Sequence, residues 1–469
     1  MKRLFAGALC LALSACMVGP DYERPEAPLT PDWHVDLDYK STDPNSLAEQ
    51  AWIDIFRDEQ LRDIIEKALA GNKRMLIAIE RIEEARALHR INRAALFPTV
   101  NVELNSEREE ESKLTNSDAE TVDEIFFGPT VNWELDLWGK NRRATQSAYA
   151  NYLATEYGAQ AVRLSLIAEV CRAYFELGGV NSRLNTNYST LASREHSLLI
   201  AQKRFKGGLT SKLEVKQAEV ELASSRASIP KAEQSQLVVE NQLAVLTGEP
   251  PRHVTLSSTL EDQYIPEKVT AGIPSSLLQR RPDIMQSEQK LIAASERVGV
   301  ATARLFPNIT LTGGLGYETD EFNQLLESEG EFWIVRLDIA MPLFNAGARK
   351  AQLKASESRF NQARLAYEQV VIEALREVSD ALNKFYKSGE GLEAELALQQ
   401  ATTEYLDLAT KRYRNGVLAY LDVLDAQRQL FDAQIAVSVA RQQQLVALVD
   451  LYKALGGGWE PNTVDPTRE

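Results

Sequence analysis

The sequence is written twice. Leu96-Phe97-Pro98 recurs as Leu305-Phe306-Pro307 at an offset of 209 residues, and Leu135-Asp136-Leu137 as Leu337-Asp338-Ile339 at an offset of 202. Arg204-Phe205-Lys206-Gly207-Gly208 returns as Arg412-Tyr413-Arg414-Asn415-Gly416 at an offset of 208. At that same offset Leu213-Glu214-Val215 answers Leu421-Asp422-Val423, and Ala218 answers Ala426. Matches in one order at nearly one offset mark an internal duplication, and the period is far longer than a solenoid repeat. Each half must therefore carry the same succession of elements.

That succession reads helix, strand, strand, long helix, helix. The strands are expected at about Phe97–Ser106 and Phe127–Leu137, then Phe306–Tyr317 and Phe332–Phe344. Val100, Val102 and Leu104 share one face against Asn101, Glu103 and Asn105. Trp333, Val335, Leu337 and Ile339 share a face in the same way. Period-two alternation with one apolar face is the pattern of a half-buried strand, which a soluble sandwich would also show. Three features favour a membrane barrel. The strands run to about 10–12 residues, enough to cross the hydrocarbon when tilted. Aromatic residues (Phe97, Trp138, Phe306, Trp333, Phe344) gather near their ends. The connections Glu107–Ile125 and Glu318–Glu331 are long, acidic and polar. Four strands cannot close a barrel with a polar lumen, for which about eight is the minimum. Three copies would supply about twelve.

The helices are too long for a packed globular domain. From Gly139 to Phe205 only Gly158 and Gly178-Gly179 interrupt the helical pattern, and Gly347 to Tyr413 repeats the case. At 1.5 Å per residue each would reach roughly 100 Å, as a coiled coil does. The expected seam is Ile372, Leu375, Ser379, Leu382 and Phe385, matched in half one by Leu164, Ile167, Cys171 and Tyr174. Each long helix meets a glycine turn and a return helix, so each half ends in a helical hairpin. Ser211 with Glu214 three residues on reads as a capping box for the first return helix. Pro282 suits the first position of another helix.

A net charge of −15 on 469 residues argues against a general nucleic-acid binder. Four widely separated histidines and three cysteines give no metal-ligand spacing and no disulfide framework. No nucleophile, base and orienter stand in concert, and no glycine-rich phosphate loop is present. The chain reads as a non-enzyme, without catalytic residues, metal or cofactor. Its start carries Lys2-Arg3 and the apolar run Leu4–Leu13, the form of a signal peptide rather than a spanning helix. The run ends in Leu13-Ser14-Ala15-Cys16, which looks like a bacterial lipobox. Cys16 is then the first mature residue and carries lipid, the alternative being an ordinary cleavage site with a chance cysteine. Met17 after it suits lipoproteins sorted to the outer membrane.

Several runs together carry a family resemblance: Leu61–Ala87, Trp133–Arg143, Leu277–Ile284, Gly299–Pro307 and Arg412–Gln427. In this order they resemble the TolC-like outer-membrane efflux proteins. Cys16 with Gly19-Pro20-Asp21-Tyr22 and Arg24-Pro25 is similar to the lipoprotein branch that serves proton-driven multidrug pumps. The resemblance implies a mixed α/β membrane protein of Gram-negative bacteria. It would be a homotrimer, with a twelve-stranded outer-membrane barrel continued by a periplasmic coiled-coil tunnel. It implies a signal peptide (1–15), a lipidated strap (16–60), two structural repeats (61–274 and 275–455) and a tail (456–469). The function implied is a passive exit duct for drugs or other small toxic compounds. Its partners are an inner-membrane pump, a periplasmic adaptor and outer-membrane lipid. The alternatives are the duct of a type I protein-secretion system and a lipid-anchored scaffold without a pore. The turns Gly207-Gly208-Leu209 and Asn415-Gly416-Val417 match the tips where an adaptor docks. Arg412, Tyr413, Asp422 and Asp425 match the polar links and acidic ring that close the periplasmic mouth, with the ring supplied mainly by half two.

Overall fold

A computed structural model of the chain describes residues 17–29, 33–35, 47, 52–110, 112, 114, 121–266, 269, 271–272 and 274–457. The expected signal peptide and Cys16, the expected lipid site, lie outside the described residues, as does the tail from residue 458 onward.

Half one begins with α1 (Trp52–Ile55), α2 (Glu59–Gly71) and α3 (Lys73–Ala94) and continues into strands β1 (Thr99–Glu110) and β2 (Thr121–Glu134). Then come the long helix α4 (Lys140–Lys206) and its return helix α5 (Lys212–Leu246). Half two follows with α6 (Leu277–Arg280), α7 (Pro282–Ala303), β3 (Asn308–Thr319), β4 (Glu331–Ala340), α8 (Ala348–Arg414) and α9 (Tyr420–Ala454). The duplication is exact in the hairpins. The long helices are 67 residues each and the return helices 35 each, all displaced by the 208 residues that separate the sequence motifs. Gly158, Gly178 and Gly179 leave α4 unbroken. Pro282 opens α7 as expected.

The strands form one antiparallel sheet in the order β1-β2-β3-β4. They are longer at one end and shorter at the other than the alternation predicts. Glu107–Glu110 and Thr121–Glu124 are paired residues of β1 and β2, not loop. There Arg108 stands opposite Asp123 in the register and pairs with it at 3.4 Å. At the opposite end β2 stops at Glu134, before Leu135 and Leu137. Asp136 does not line a strand face. Its carboxylate accepts from the N–H groups of Asn141 (3.0 Å) and Arg142 (2.8 Å), and so caps α4 and ends the strand. Trp138 then stacks on Phe306 at 4.8 Å and donates from its indole N–H to the Pro307 carbonyl at 2.8 Å.

The chain gathers into two compact units. One holds Arg81–Glu156 and Gln286–Glu368 with the N-terminal segment up to Glu26, and therefore contains the sheet. The other holds Ala27–Glu80, Tyr157–Met285 and Gln369–Glu469, and contains both hairpin ends. In the second unit Leu61, Ile65, Tyr174, Leu177, Leu243 and Leu445 are buried. Phe56 closes that core with ring contacts to Phe175 and Tyr452. The first three positions of the α8 seam run one residue out of phase with expectation, while Leu382 and Phe385 are buried as expected. Val371, Ala374 and Val378 are buried together with Leu382 and Phe385, whereas Ile372 is 48% exposed. Small residues on the inner ridge let the helices approach closely, so burial follows shape rather than side-chain hydrophobicity. In half one Ile167, Cys171 and Tyr174 are buried as expected.

Candidate functional site

The site lies where the two hairpins end. Both long helices close with the same backbone device. The N–H of Leu209 bonds the carbonyl of Arg204 and that of Gly208 bonds Phe205. In half two Val417 bonds Arg412 and Gly416 bonds Tyr413. Gly208 (φ +71°) and Gly416 (φ +74°) occupy the left-handed position such a cap needs, which a side chain would strain. In such caps the following apolar residue usually packs back on the helix. Here Leu209 is 72% exposed and Val417 65%. The two turns therefore present bare apolar tips.

Above the tips a small core ties the hairpins together. Ala201, Val215, Ala218, Tyr420, Val423 and Leu424 are buried in it, and Leu418 and Tyr413 pack against its edge. Tyr413 is the centre of the polar contacts. Its hydroxyl donates to Glu214 Oε2 at 3.0 Å, from the end of hairpin two to the return helix of hairpin one. The Arg204 guanidinium stands 4.7 Å over its ring, and the Tyr420 ring lies 5.4 Å away. Burial first, then the Glu214 carboxylate, pushes the Tyr413 phenol up to about 12, so it is a permanent donor at neutral pH. Ser211 stands at the N-cap of α5 but its side chain makes no cap hydrogen bond. The capping box is therefore absent, because Glu214 is turned toward Tyr413.

The other expected gate residues are not joined to this link. Arg412 is exposed, and its side chain makes no hydrogen bond or ion pair to a described residue. Asp425 is exposed and accepts only from Gln429, one turn along its own helix, at 2.7 Å. Asp422 is half-buried in the first turn of α9, where an acid suits the helix dipole. Within one chain the acid joined to Tyr413 comes from half one. The repeat carried the signal for this, since Glu214 stands at the place of Asp422.

A second polar layer lies further from the tips, and sequence reasoning did not find it. Arg194 on α4, 4% exposed, donates to Gln427 of α9 and pairs with Glu221 of α5 at 3.3 Å. Arg428 reaches the same carboxylate at 3.4 Å. Burial pulls the Arg194 guanidinium below its ordinary value, with Glu221 opposing. Nothing near these residues in sequence announces the layer, because its members meet only when both hairpins pack.

Among the described residues no cluster of histidine, cysteine, aspartate or glutamate could hold a metal, and no helix is long and apolar enough to cross a membrane. Cys171 is fully buried, and burial pushes its thiol far up, which makes it a packing residue.

The whole chain has relatives. Residues 64–249 and 273–457 match the family model described as outer membrane efflux protein, one match for each half. The chain is 34% identical over 457 residues to the probable efflux pump outer membrane protein TtgC of Pseudomonas putida, covering 96% of this chain and 94% of that protein. Its structure is similar to that of the outer-membrane channel OprN, with a TM-score of 0.88 and 31% identity over 95% of this chain and all of that one. It is also similar to the open state of the Neisseria gonorrhoeae MtrE outer membrane channel, with a TM-score of 0.86 and 30% identity, covering 96% of this chain and 100% of that one. The chain belongs to the outer membrane efflux protein family.

Proposed function

We propose that this chain is the outer-membrane exit duct of a tripartite efflux pump, working as a trimer whose twelve strands close one barrel. The observation that carries the reading is an unfinished sheet. β1 and β4 are edge strands, each paired on one side only. Val102 on β1 is 73% exposed, and Trp333, Val335 and Ile339 on β4 are 64–76% exposed. An apolar face of this size belongs against lipid, and lipid tolerates no open edge, because each unpaired backbone group there costs several kcal/mol. Joining β4 of one copy to β1 of the next removes every edge. Polar groups then face inward, where Thr130 donates to Glu103 at 3.0 Å.

The long hairpins continue the duct into the periplasm, and the exposed Leu209 and Val417 tips dock a periplasmic adaptor that links it to an inner-membrane pump. The Tyr413–Glu214 link and the Arg412, Asp422 and Asp425 side chains close the mouth. Lipid on Cys16 adds an anchor. The duct supplies no energy and does no chemistry; small toxic compounds pass through it. The test is purification in detergent followed by reconstitution in planar bilayers. A detergent-stable trimer with discrete conductance steps is expected, and an intact mass carrying diacylglycerol and acyl groups on Cys16. A stable, water-soluble monomer obtained without detergent would overturn the barrel.

A further inference from the structure

Three motifs of the sequence play no part in a gate or a barrel wall: the Gly19–Arg24 stretch, the Trp138–Arg143 end of the Trp133–Arg143 run, and Gly299. In the structure they meet. The Val18 N–H donates to the Trp138 carbonyl at 3.2 Å. Met17 lies over Gly139 (φ +77°), where an added Cβ would come within 3.2 Å of the Met17 Cα. Gly19 (φ +100°) rests directly on Gly299 of α7, and a Cβ on Gly19 would stand 2.8 Å from the Gly299 Cα. Real Cβ atoms do not approach backbone that closely, so position 19 needs glycine on this ground as well as for its positive φ. Arg143 packs against the same glycine, its side chain 3% exposed, and pairs with Glu296 at 3.1 Å and with Asp21 of the strap at 2.9 Å. Further along, two strap residues converge on Glu288, which is 7% exposed. Tyr22 donates its hydroxyl at 3.2 Å, and Arg24 donates from two nitrogens to the two carboxylate oxygens, each at 2.5 Å.

We propose that these residues are a clasp that seats the strap, residues 17–24, on its own chain and so holds Met17 at the turn between β2 and α4. The strap has no helix or strand of its own to order it. A free segment of about ten residues would let its end wander on the order of 17 Å. Seated, its first described residue, Met17, lies against Gly139. Seat and strap depend on each other, because a departing strap would strip the buried Glu288 carboxylate of both these donors. The purpose of the clasp rests on the lipidation of Cys16 proposed above, but the clasp itself does not. It turns a loose tether into an anchor of fixed position, and the seat exists only once the β2–α4 turn and α7 have come together.

The test is hydrogen exchange by mass spectrometry on the full-length protein in detergent, with the intact mass read on the same sample. Wild-type peptides spanning 17–26 should exchange at least tenfold more slowly than the same free peptide. Gly19→Ala and Arg24→Ala both lie on the strap and cannot unfold the body. Each should raise strap exchange about tenfold while exchange in β1–β4 stays unchanged, and Arg24→Lys, which lacks the two-nitrogen fork, should fall between. A wild-type strap that exchanges like the free peptide would overturn the clasp, as would wild-type protection in both alanine variants. A protected strap on an unmodified Cys16 would support the clasp and overturn the lipid reading.

Discussion

Replacing Tyr413 by phenylalanine removes one oxygen atom from the hairpin end. The Arg204 guanidinium keeps an aromatic face beneath it at about the present 4.7 Å, and the packing against Tyr420 is retained. What is lost is the 3.0 Å bond to Glu214. A hydrogen bond to a charged acceptor is worth about 1.5–3 kcal/mol when buried. Both partners here are half-buried, so about 1 kcal/mol per chain is the expected loss. In a trimer three links act on one mouth, and about 3 kcal/mol shifts a closed-to-open equilibrium roughly a hundredfold. Tyr413→Phe should therefore raise single-channel conductance in planar bilayers and admit vancomycin to cells relying on this channel, with the trimer intact. Glu214→Ala should do the same, and the double variant little more than either, giving a coupling of about 1 kcal/mol. The pH dependence has a definite sign. The phenol is raised in the folded state, so its contribution is complete below about pH 10 and is lost as pH climbs through about 12. Closure should accordingly not respond to Tyr413 ionisation anywhere near neutrality. Wild-type conductance in a folded, trimeric Tyr413→Phe, with no coupling to Glu214, would refute the latch.

Arg412→Ala and Asp425→Ala should also raise conductance, but only through contacts between copies, since neither residue is tied to the other hairpin of its own chain; unchanged conductance in both would leave them as bracing of the turn. Val335→Arg on β4 should cost about 2–4 kcal/mol if it lies at the bilayer midplane, read as loss of the detergent-stable trimer. Asp58 caps α2 through the Leu61 N–H at 3.1 Å, and its replacement by alanine should cost about 1 kcal/mol in thermal unfolding. Burial alone would raise its carboxyl, but bonds from Ser258, Gln263, Tyr174 and Leu61 hold it below its ordinary value. Its contribution is therefore present above about pH 4 and lost as pH falls through the depressed value, so wild type and Asp58→Ala should converge in strong acid.

The two long helices were legible to within a residue because periodicity, glycine turns and the 208-residue repeat all agree on them. Strand ends were not. Leu135 and Leu137 continue the alternation of β2, and only the capture of Asp136 by the first turn of α4 stops the strand. The charged stretch after Ser106 looked like loop because its partners lie across a ladder, where Arg108 meets Asp123. The seam of α8 slipped because Ala374 and Val378 bury better than the larger Ile372 beside them. Tyr413 was legible from its motif. Its partner was not, because the local spacing of Ser211 and Glu214 offered a capping box while the true acceptor bond spans 199 residues. The Arg194 layer and the seat of the strap are likewise products of packing, and no local pattern foretells them.

The proposed latch would also account for where the duplicated halves differ. At the 208-residue offset Tyr413 answers Phe205, Glu214 answers Asp422, Arg194 answers Thr402, and Arg428 answers Val220. Within a chain, hairpin two therefore offers a hydroxyl to an acid of hairpin one, and the inner layer places Arg194 and Arg428 on Glu221. In the proposed trimer the hairpins alternate around the axis, so the equivalent contact across a subunit boundary would set Phe205 against Asp422. Phenylalanine has no hydrogen to donate, Thr402 replaces the buried arginine, and neither bond of the intrachain set can form there. The two kinds of contact around the mouth must then differ in strength. Those within a chain are held by the Tyr413–Glu214 hydrogen bond, by Arg194 donating to Gln427 and by the Arg428–Glu221 ion pair. Those between chains leave Asp422, Asp425 and Arg412 without interhairpin partners in their own chain. Opening should accordingly begin at the boundaries between copies, with each chain's pair of hairpins moving as one body until the Tyr413–Glu214 link gives way.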